Sequence, residues 1–255
     1  MRRILVTNDD GIHSPGIHAL AAALEGLGQV VVVAPLTEAS AIGHALTLRR
    51  PLRIETFGTR RYAVDGTPTD CVNIALKVIL EGALPDMVVS GINKGYNLGD
   101  DVTYSGTVAG ALEAALLGIP ALAVSLGQGG LPGTDFGPAA QVAADVAEAM
   151  LARPLPSRVF LNVNVPPGEP KGHRATVQGL RNHETSITAR VDPRGRSYYW
   201  IDELQCDWHD HDKSDYVAVR EGFVSVTPLH PDMTAHAQLG LVEGLDLPIR
   251  SATRR

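Results

Sequence analysis

P-D-M-V-V-S-G-I-N-K-G-Y-N-L-G-D-D-V-T-Y-S-G-T-V-A-G-A-L-E-A-A-L-L-G-I-P, from Pro85 to Pro120, contains a strand, a polar loop and a helix in that order. Met87-Val88-Val89 is a short, β-branched apolar run of the kind buried on both faces of a parallel sheet. A loop rich in glycine and asparagine is expected from Gly91 to Thr103. A helix should then open near Ser105-Gly106-Thr107 and close at Gly118, a glycine suited to the C′ position, with Pro120 just beyond. In a parallel sheet this arrangement places ligands at the carboxyl ends of the strands. Ser105 and Thr107 fall where a helix N-terminus presents unpaired N–H groups, a setting that suits an anion. Capping and chain turning alone would also account for these residues. The loop, however, carries Asn93, Asn97, Asp100, Asp101, Tyr104, Ser105 and Thr107 together, more ligand-type side chains than a connection needs.

Working outward, Arg3–Thr7 reads as a first buried strand, followed directly by Asn8-Asp9-Asp10-Gly11. Pro15-Gly16 opens an alanine-rich helix to about Leu27, with Ile17, Leu20, Ala21, Leu24 and Leu27 on one face. Gln29–Ala34 is a second buried strand. The whole is a βαβ unit of about 30 residues, the start of a doubly wound sheet. It lacks G-x-G-x-x-G at its first turn, which removes the main support for a dinucleotide site and a dinucleotide-dependent oxidoreductase.

Pro35–Ala45 is a small-residue loop and Leu46–Val64 a set of extended segments, read as a β-ribbon beside the main sheet. After the turn at Asp65-Gly66-Thr67-Pro68, Thr69 or Asp70 should cap a helix running from Cys71 to near Gly82. Ala121–Ser125 is a further buried strand, Gln128–Gly137 a glycine-rich loop, Pro138 to about Ala152 a helix, and Val159–Val165 another strand. After Pro166-Pro167-Gly168 the pattern changes to extended pieces and acidic, histidine-rich loops. The expected division is therefore a catalytic core over 1–167 and a β-hairpin region over 168–255 that sends segments back to the core. Asp215–Leu229 reads as strand, turn at Glu221-Gly222, and strand; Leu241–Leu245 reads as a short helix.

The 255 residues suffice for a full core, and a hydrophobic content of 44% is ordinary for a soluble globular chain. No apolar run approaches the roughly 18 residues of a membrane span, and Met1-Arg2-Arg3-Ile4 enters a strand without a leader pattern. Cys71 and Cys206 stand far apart in motifs that are not cysteine frameworks, so a reducing cytoplasm is expected. A net charge of −6 leaves no basic footprint for duplex nucleic acid. A local phosphate site is compatible with it if a metal supplies the positive charge.

Asp9 and Asp10 follow a buried strand at the sheet edge where α/β sites form. Two adjacent carboxylates repel, and a divalent metal is a usual compensation; an N-cap or Asx-turn aspartate beside a solvated neighbour is the plainer alternative. Asn8 is a candidate to orient this loop. Parallel strand ends share one edge, so Asp9, Asp10, Ser40 and Asn93 can converge. Carboxylates, an amide and a hydroxyl form an all-oxygen set that suits Mg²⁺, Mn²⁺ or Ca²⁺ rather than zinc. Cys71 has no histidine at pairing distance in sequence and reads as an inert buried thiol. His209 and His211 have an H-x-H look without a third partner and read as part of a solvated acidic loop.

N-D-D-G at Asn8–Gly11, G-T-P-T-D-C-V at Gly66–Val72, S-G-I-N-x-G-x-N-x-G-D-D-V-x-Y-S-G-T-V at Ser90–Val108 and G-F-V-S-V-T-P-L at Gly222–Leu229 together resemble the SurE family of survival-protein nucleotidases. The resemblance spans nearly the whole chain, and its middle motif is long. It implies a Rossmann-like core with one divalent metal per subunit, ligated by Asp9, Asp10, Ser40 and Asn93. It implies hydrolysis of nucleoside 5′-monophosphates, with 3′-monophosphates and short-chain polyphosphate as further substrates. It also implies a C-terminal β-hairpin exchanged between subunits of a homodimer or homotetramer, with His236 near the exchanged arm. Ala39 departs from the pattern, since many members carry an arginine immediately before the loop serine. On this reading metal-activated water attacks the phosphorus. Asp9 is the firmer ligand, Asp10 orients or deprotonates the water, and Asn97, Ser105, Gly106 and Thr107 hold phosphate oxygens. The rival from another class is a nucleotide-binding sensor that uses the same cradle without chemistry.

Overall fold

The structure is a computed structural model that describes residues 1–128, 130–181, 185–203, 208–209 and 211–245. Its main sheet contains, in chain order, β1 (Arg3–Thr7), β2 (Gln29–Pro35), β3 (Ile54–Gly58), β4 (Arg61–Val64), β5 (Met87–Lys94), β6 (Ala121–Leu126), β7 (Phe160–Val165), β8 (His173–Ala175) and β11 (Val224–Leu229). The spatial order is β3-β4-β2-β1-β5-β6-β7-β11-β8. The run from β4 to β7 is parallel throughout, as the β-branched runs predict. β3 and β11 add antiparallel strands on either side. The order reverses between β1 and β5, so this α/β sheet has its topological switch point at their carboxyl ends. The loops at those two ends begin at Asn8 and Gly95.

Strand alternation decides which helices cover which face. Ile4, Val6, Val30, Val32, Met87, Val89, Leu122 and Val124 face a core shared with α1 (Pro15–Leu24) and α4 (Gly137–Ala152). Leu5, Val31, Val33, Val88, Ala121 and Ala123 face the other core, with α2 (Pro68–Ile74) and α3 (Gly106–Leu116). Each fully buried valine or leucine among them contributes about 1.5–3 kcal/mol relative to exposure. Cys71 is wholly buried in the second core, and burial pushes its thiol well above the ordinary value. It is therefore inert, as the sequence suggests.

Four elements differ from their expected form. β5 does not end at Gly91. It continues to Lys94 through a register shift between Ser90 and Asn93, and buried Ile92 anchors the extra length. Gly91, with φ +143° and the Val124 carbonyl against the position of a Cβ, is the residue that permits it. α2 is capped by Thr67 rather than Thr69 or Asp70: the Thr67 hydroxyl accepts from the Asp70 N–H while the Asp70 carboxylate accepts from the Thr67 N–H. Pro68 at the first helical position explains the earlier start. α1 stops at Leu24 and the chain turns back through Leu27.

Asp215–Arg220 is a helix, α5, and not a strand. The V-A-V run reads as alternation, but Ser214 caps the Val217 N–H and Val217, Ala218 and Val219 are all enclosed. Asp215 then fixes this turn to the rest of the molecule. Its carboxylate accepts from the Gly99 and Gly179 N–H groups, both at 2.8 Å, and from that of Tyr216.

Residues after 168 thus return to the core through β8, α5 and β11. β9 (Thr185–Val191) and β10 (Ser197–Glu203) pair antiparallel in a sheet of their own. A short helix, α6, spans Leu239–Glu243. No helix among the described residues is long and apolar enough to cross a membrane. Cys206 lies outside the described residues.

Candidate active site

The switch point holds a recess of about 440 Å³ whose wall includes Asp9, Asp10, Ser40, Asn93, Asn97 and Ser105. Six of the eight residues singled out from sequence therefore meet in one place. Gly106 and Thr107 do not line it; they sit behind Asp9. A larger groove of about 720 Å³ between α4, β7 and β11 is lined chiefly by apolar side chains and holds none of these residues.

Asp9 follows β1 and is 4% exposed. The N-terminus of α3 receives it. The Thr107 N–H donates to Oδ2 at 3.0 Å and the Thr107 hydroxyl to Oδ1 at 2.5 Å. Gly106 permits this approach, because a Cβ there would lie 2.8 Å from the Cβ of Asp9. Burial, opposed by the Thr107 hydroxyl and reinforced by the charge of Asp10, raises the Asp9 carboxyl to about 6. Thr107, expected to hold phosphate, is in this structure committed to Asp9. Ser105 caps α3 by accepting from the Val108 N–H at 3.0 Å, and its own hydroxyl proton is left to donate into the recess.

Asp10 has a side chain 5% exposed, with the Lys94 ammonium 3.3 Å from Oδ1. Burial raises its carboxyl, against the pull of Lys94. Oδ2 is buried and has no hydrogen-bond partner. Asn8 holds the loop as expected: its side chain bonds both the N–H and the carbonyl of Gly11.

Ser40 is exposed at the rim and donates to Glu38 at 2.7 Å, which leaves the lone pairs of Oγ open. Its loop is held by bonds from Ala39 N–H to the Asp9 carbonyl and from Gly43 N–H to the Tyr104 carbonyl. His44 reaches Glu113 on α3 at 2.7 Å, and Asn73 donates to the same carboxylate. Burial would raise Glu113, but these two partners outweigh it and hold the carboxyl below its ordinary value. Asn93, at the end of β5, donates through Nδ2 to the Gly95 carbonyl, which leaves Oδ1 available as an acceptor or ligand.

Several residues of the recess and its supports were not singled out from the sequence. Lys94, Glu38 and Tyr96 line the recess. Asn162 and Asn164 on β7 both donate to the Asn97 carbonyl, and Asn164 accepts from its N–H. The N-x-N spacing in an otherwise apolar strand is the signal, since it places both amides on one sheet face. Arg181, from the C-terminal region, pairs with Asp101. The backbone of His209 bonds to Leu180, and His211 accepts from Lys213. No cluster of three or more His, Cys, Asp or Glu that could hold a metal occurs among the described residues.

A metal site here must therefore draw on amide and hydroxyl oxygens beside the two aspartates. The residues fit one. They offer oxygen donors only, one buried carboxylate oxygen has no hydrogen-bond partner among the described residues, and burial raises both carboxyls, which a cation would counter. That donor set suits Mg²⁺, Mn²⁺ or Ca²⁺.

Comparison with known proteins gives the family of the chain. The family described as survival protein SurE matches residues 4–185. The 5′-nucleotidase SurE of Syntrophotalea carbinolica is 54% identical over 231 residues, covering 91% of this chain and 92% of that protein. The 5′-nucleotidase SurE of Geobacter sulfurreducens is 54% identical over 247 residues, covering 96% and 94%. The crystal structure of the SurE protein from Aquifex aeolicus superposes with a TM-score of 0.84 at 44% identity, covering 94% of this chain and 98% of that one.

Proposed function

Because the chain belongs to the SurE survival-protein family, we infer that it is a 5′-nucleotidase, a phosphoric monoester hydrolase, and propose that its turnover requires one divalent cation per subunit. The observation that carries this is the convergence of Asp9, Asp10, Ser40 and Asn93 on one recess, with Asp10 Oδ2 buried and unpartnered. A cation held there supplies positive charge against the phosphoryl oxygens and makes water more acidic. Asp10 Oδ2 accepts the proton of the attacking water as its oxygen bonds phosphorus; the P–O ester bond breaks, and the departing nucleoside oxygen takes up a proton from solvent. Ser105 Oγ and the Asn97 amide hold the remaining phosphate oxygens as charge develops. Thr107 acts one step back by fixing the Asp9 carboxylate. The enzyme works in a reducing cytoplasm, in keeping with the free thiol of Cys71.

Ligand and cradle roles separate in a kinetic test. Asn93→Ala should raise the Mg²⁺ or Mn²⁺ concentration for half-maximal phosphate release by about 10–100-fold. Ser105→Ala should leave that midpoint within about twofold and lower kcat/KM for nucleoside monophosphates by about tenfold or more. Equal shifts of the midpoint in both variants would contradict the assignment. Running the assay with 3′-monophosphates and short-chain polyphosphate reports whether turnover extends beyond 5′-esters.

The assembly we propose is a homodimer or homotetramer built through the region after about 170. Ile187, Val191, Tyr198, Tyr199, Trp200 and Ile201 are exposed on β9 and β10, and Leu239, Leu241 and Val242 on α6. Apolar strand edges of this kind are normally covered, and a hairpin exchanged with an identical subunit covers both copies at once. Light scattering of the intact protein at micromolar concentration should give two or four times the chain mass of 27.0 kDa. A monodisperse monomer would rule the exchange out.

A further inference from the structure

Lys94 has no part in the site as derived so far, yet it is the one cationic side chain lining the recess among the described residues. The wall also carries four carboxylates, Asp9, Asp10, Glu38 and Asp101, of which Asp101 is already paired with Arg181. The Lys94 ammonium lies 3.3 Å from Asp10 Oδ1, and its side chain is 32% exposed against 5% for its partner. A compact charge on a four-carbon stem at a strand end, with solvent on one side, can turn to a second anion without moving the backbone.

We propose that Lys94 is a phosphate-binding residue that guards Asp10 in the resting enzyme: it occupies the carboxylate in competition with the divalent cation and, once displaced, binds a phosphate oxygen of the nucleotide. The proposal rests on the metal-dependent reading above. Two cations on one carboxylate repel at the effective dielectric of a half-buried site, so the ion pair and the loaded metal oppose each other. Displacement strands an ammonium at the mouth of a recess otherwise rich in carboxylates. A phosphomonoester dianion then provides the missing partner. The cradle at Ser105 and Asn97 offers that dianion only neutral donors, so Lys94 adds the charge-assisted bond.

The two roles have opposite signatures in one variant. Lys94→Met in the intact protein should bind Mn²⁺ about three- to tenfold more tightly by calorimetry, since a competing ion pair of about 1 kcal/mol is gone. The same variant, saturated with Mn²⁺, should bind inorganic phosphate about tenfold more weakly, the loss of one charged hydrogen bond. Lys94→Gln keeps the stem and a neutral donor and should show both shifts in the same directions, so the test stands if the methionine variant fails to fold. A folded variant with unchanged or weakened Mn²⁺ affinity, or with unchanged phosphate affinity, overturns the proposal and leaves the metal site intact. Wild-type protein that binds no Mn²⁺ overturns the metal reading itself, and this inference with it.

Discussion

Asp9→Asn should lower kcat/KM for nucleoside 5′-monophosphates by about 10³-fold while leaving the protein folded, since several kcal/mol of transition-state charge stabilisation is removed. Asparagine keeps the size of the side chain. Its carbonyl can accept from the Thr107 N–H as Oδ2 does now, and its amide can donate to the Thr107 hydroxyl turned to accept. What disappears is the charge that a cation would meet. Stability should move the other way in metal-free protein. The folded Asp9 carboxyl is raised from 3.8 to about 6, so the folded state holds a proton that the unfolded chain has released. Ionising it costs the fold about 2–3 kcal/mol, a loss that sets in between about pH 4 and 6 and is complete above that. The asparagine variant lacks this penalty, and thermal unfolding at pH 7.5 in chelator should show a midpoint above that of the wild type. A variant with normal turnover, or a midpoint several degrees lower, would show that Asp9 is a structural aspartate.

Much of this was legible in the sequence because the parallel sheet and its edge have strong local signatures. Val30–Val33 and Met87–Val89 could only be buried strands, and the absence of a glycine fingerprint after β1 directed attention to Asp9 and Asp10. Helix and strand ends placed Ser105 and Asn93 at one edge without any contact being known. What stayed hidden depends on packing across elements. Nothing local reveals that Thr107 faces Asp9 instead of solvent, because that follows from how α3 sits on β1. Lys94 adjoins a candidate ligand, and alternation would turn it away from Asn93. Both nevertheless line the recess. The V-A-V run of α5 was misread because an enclosed one-turn helix and a buried strand share the same apolar content, and the Ser214 cap was the only local sign between them. Asn162 and Asn164 act on the Asn97 backbone, a partner 65 and 67 residues away that no local pattern reveals.

Removal of the metal should have the other large effect. The four proposed oxygen ligands, two of them carboxylates next to one another, would make a site whose charge balance depends on the cation, and none of the described lining residues other than Lys94 carries a positive charge to replace it. Without the cation, Ser105 and Asn97 would still offer donors to phosphate oxygens, but two carboxylates would then face the dianion. Such a site should bind nucleotide weakly and turn it over at no more than about 10⁻³ of the loaded rate. The direct measurement is phosphate release from nucleoside 5′-monophosphates by the intact protein, first stripped with EDTA and then titrated with Mg²⁺ or Mn²⁺. Release should fall to background on stripping and return with a saturable dependence on the added ion. Undiminished hydrolysis in protein shown by elemental analysis to be metal-free would contradict the metal-dependent site at Asp9, Asp10, Ser40 and Asn93.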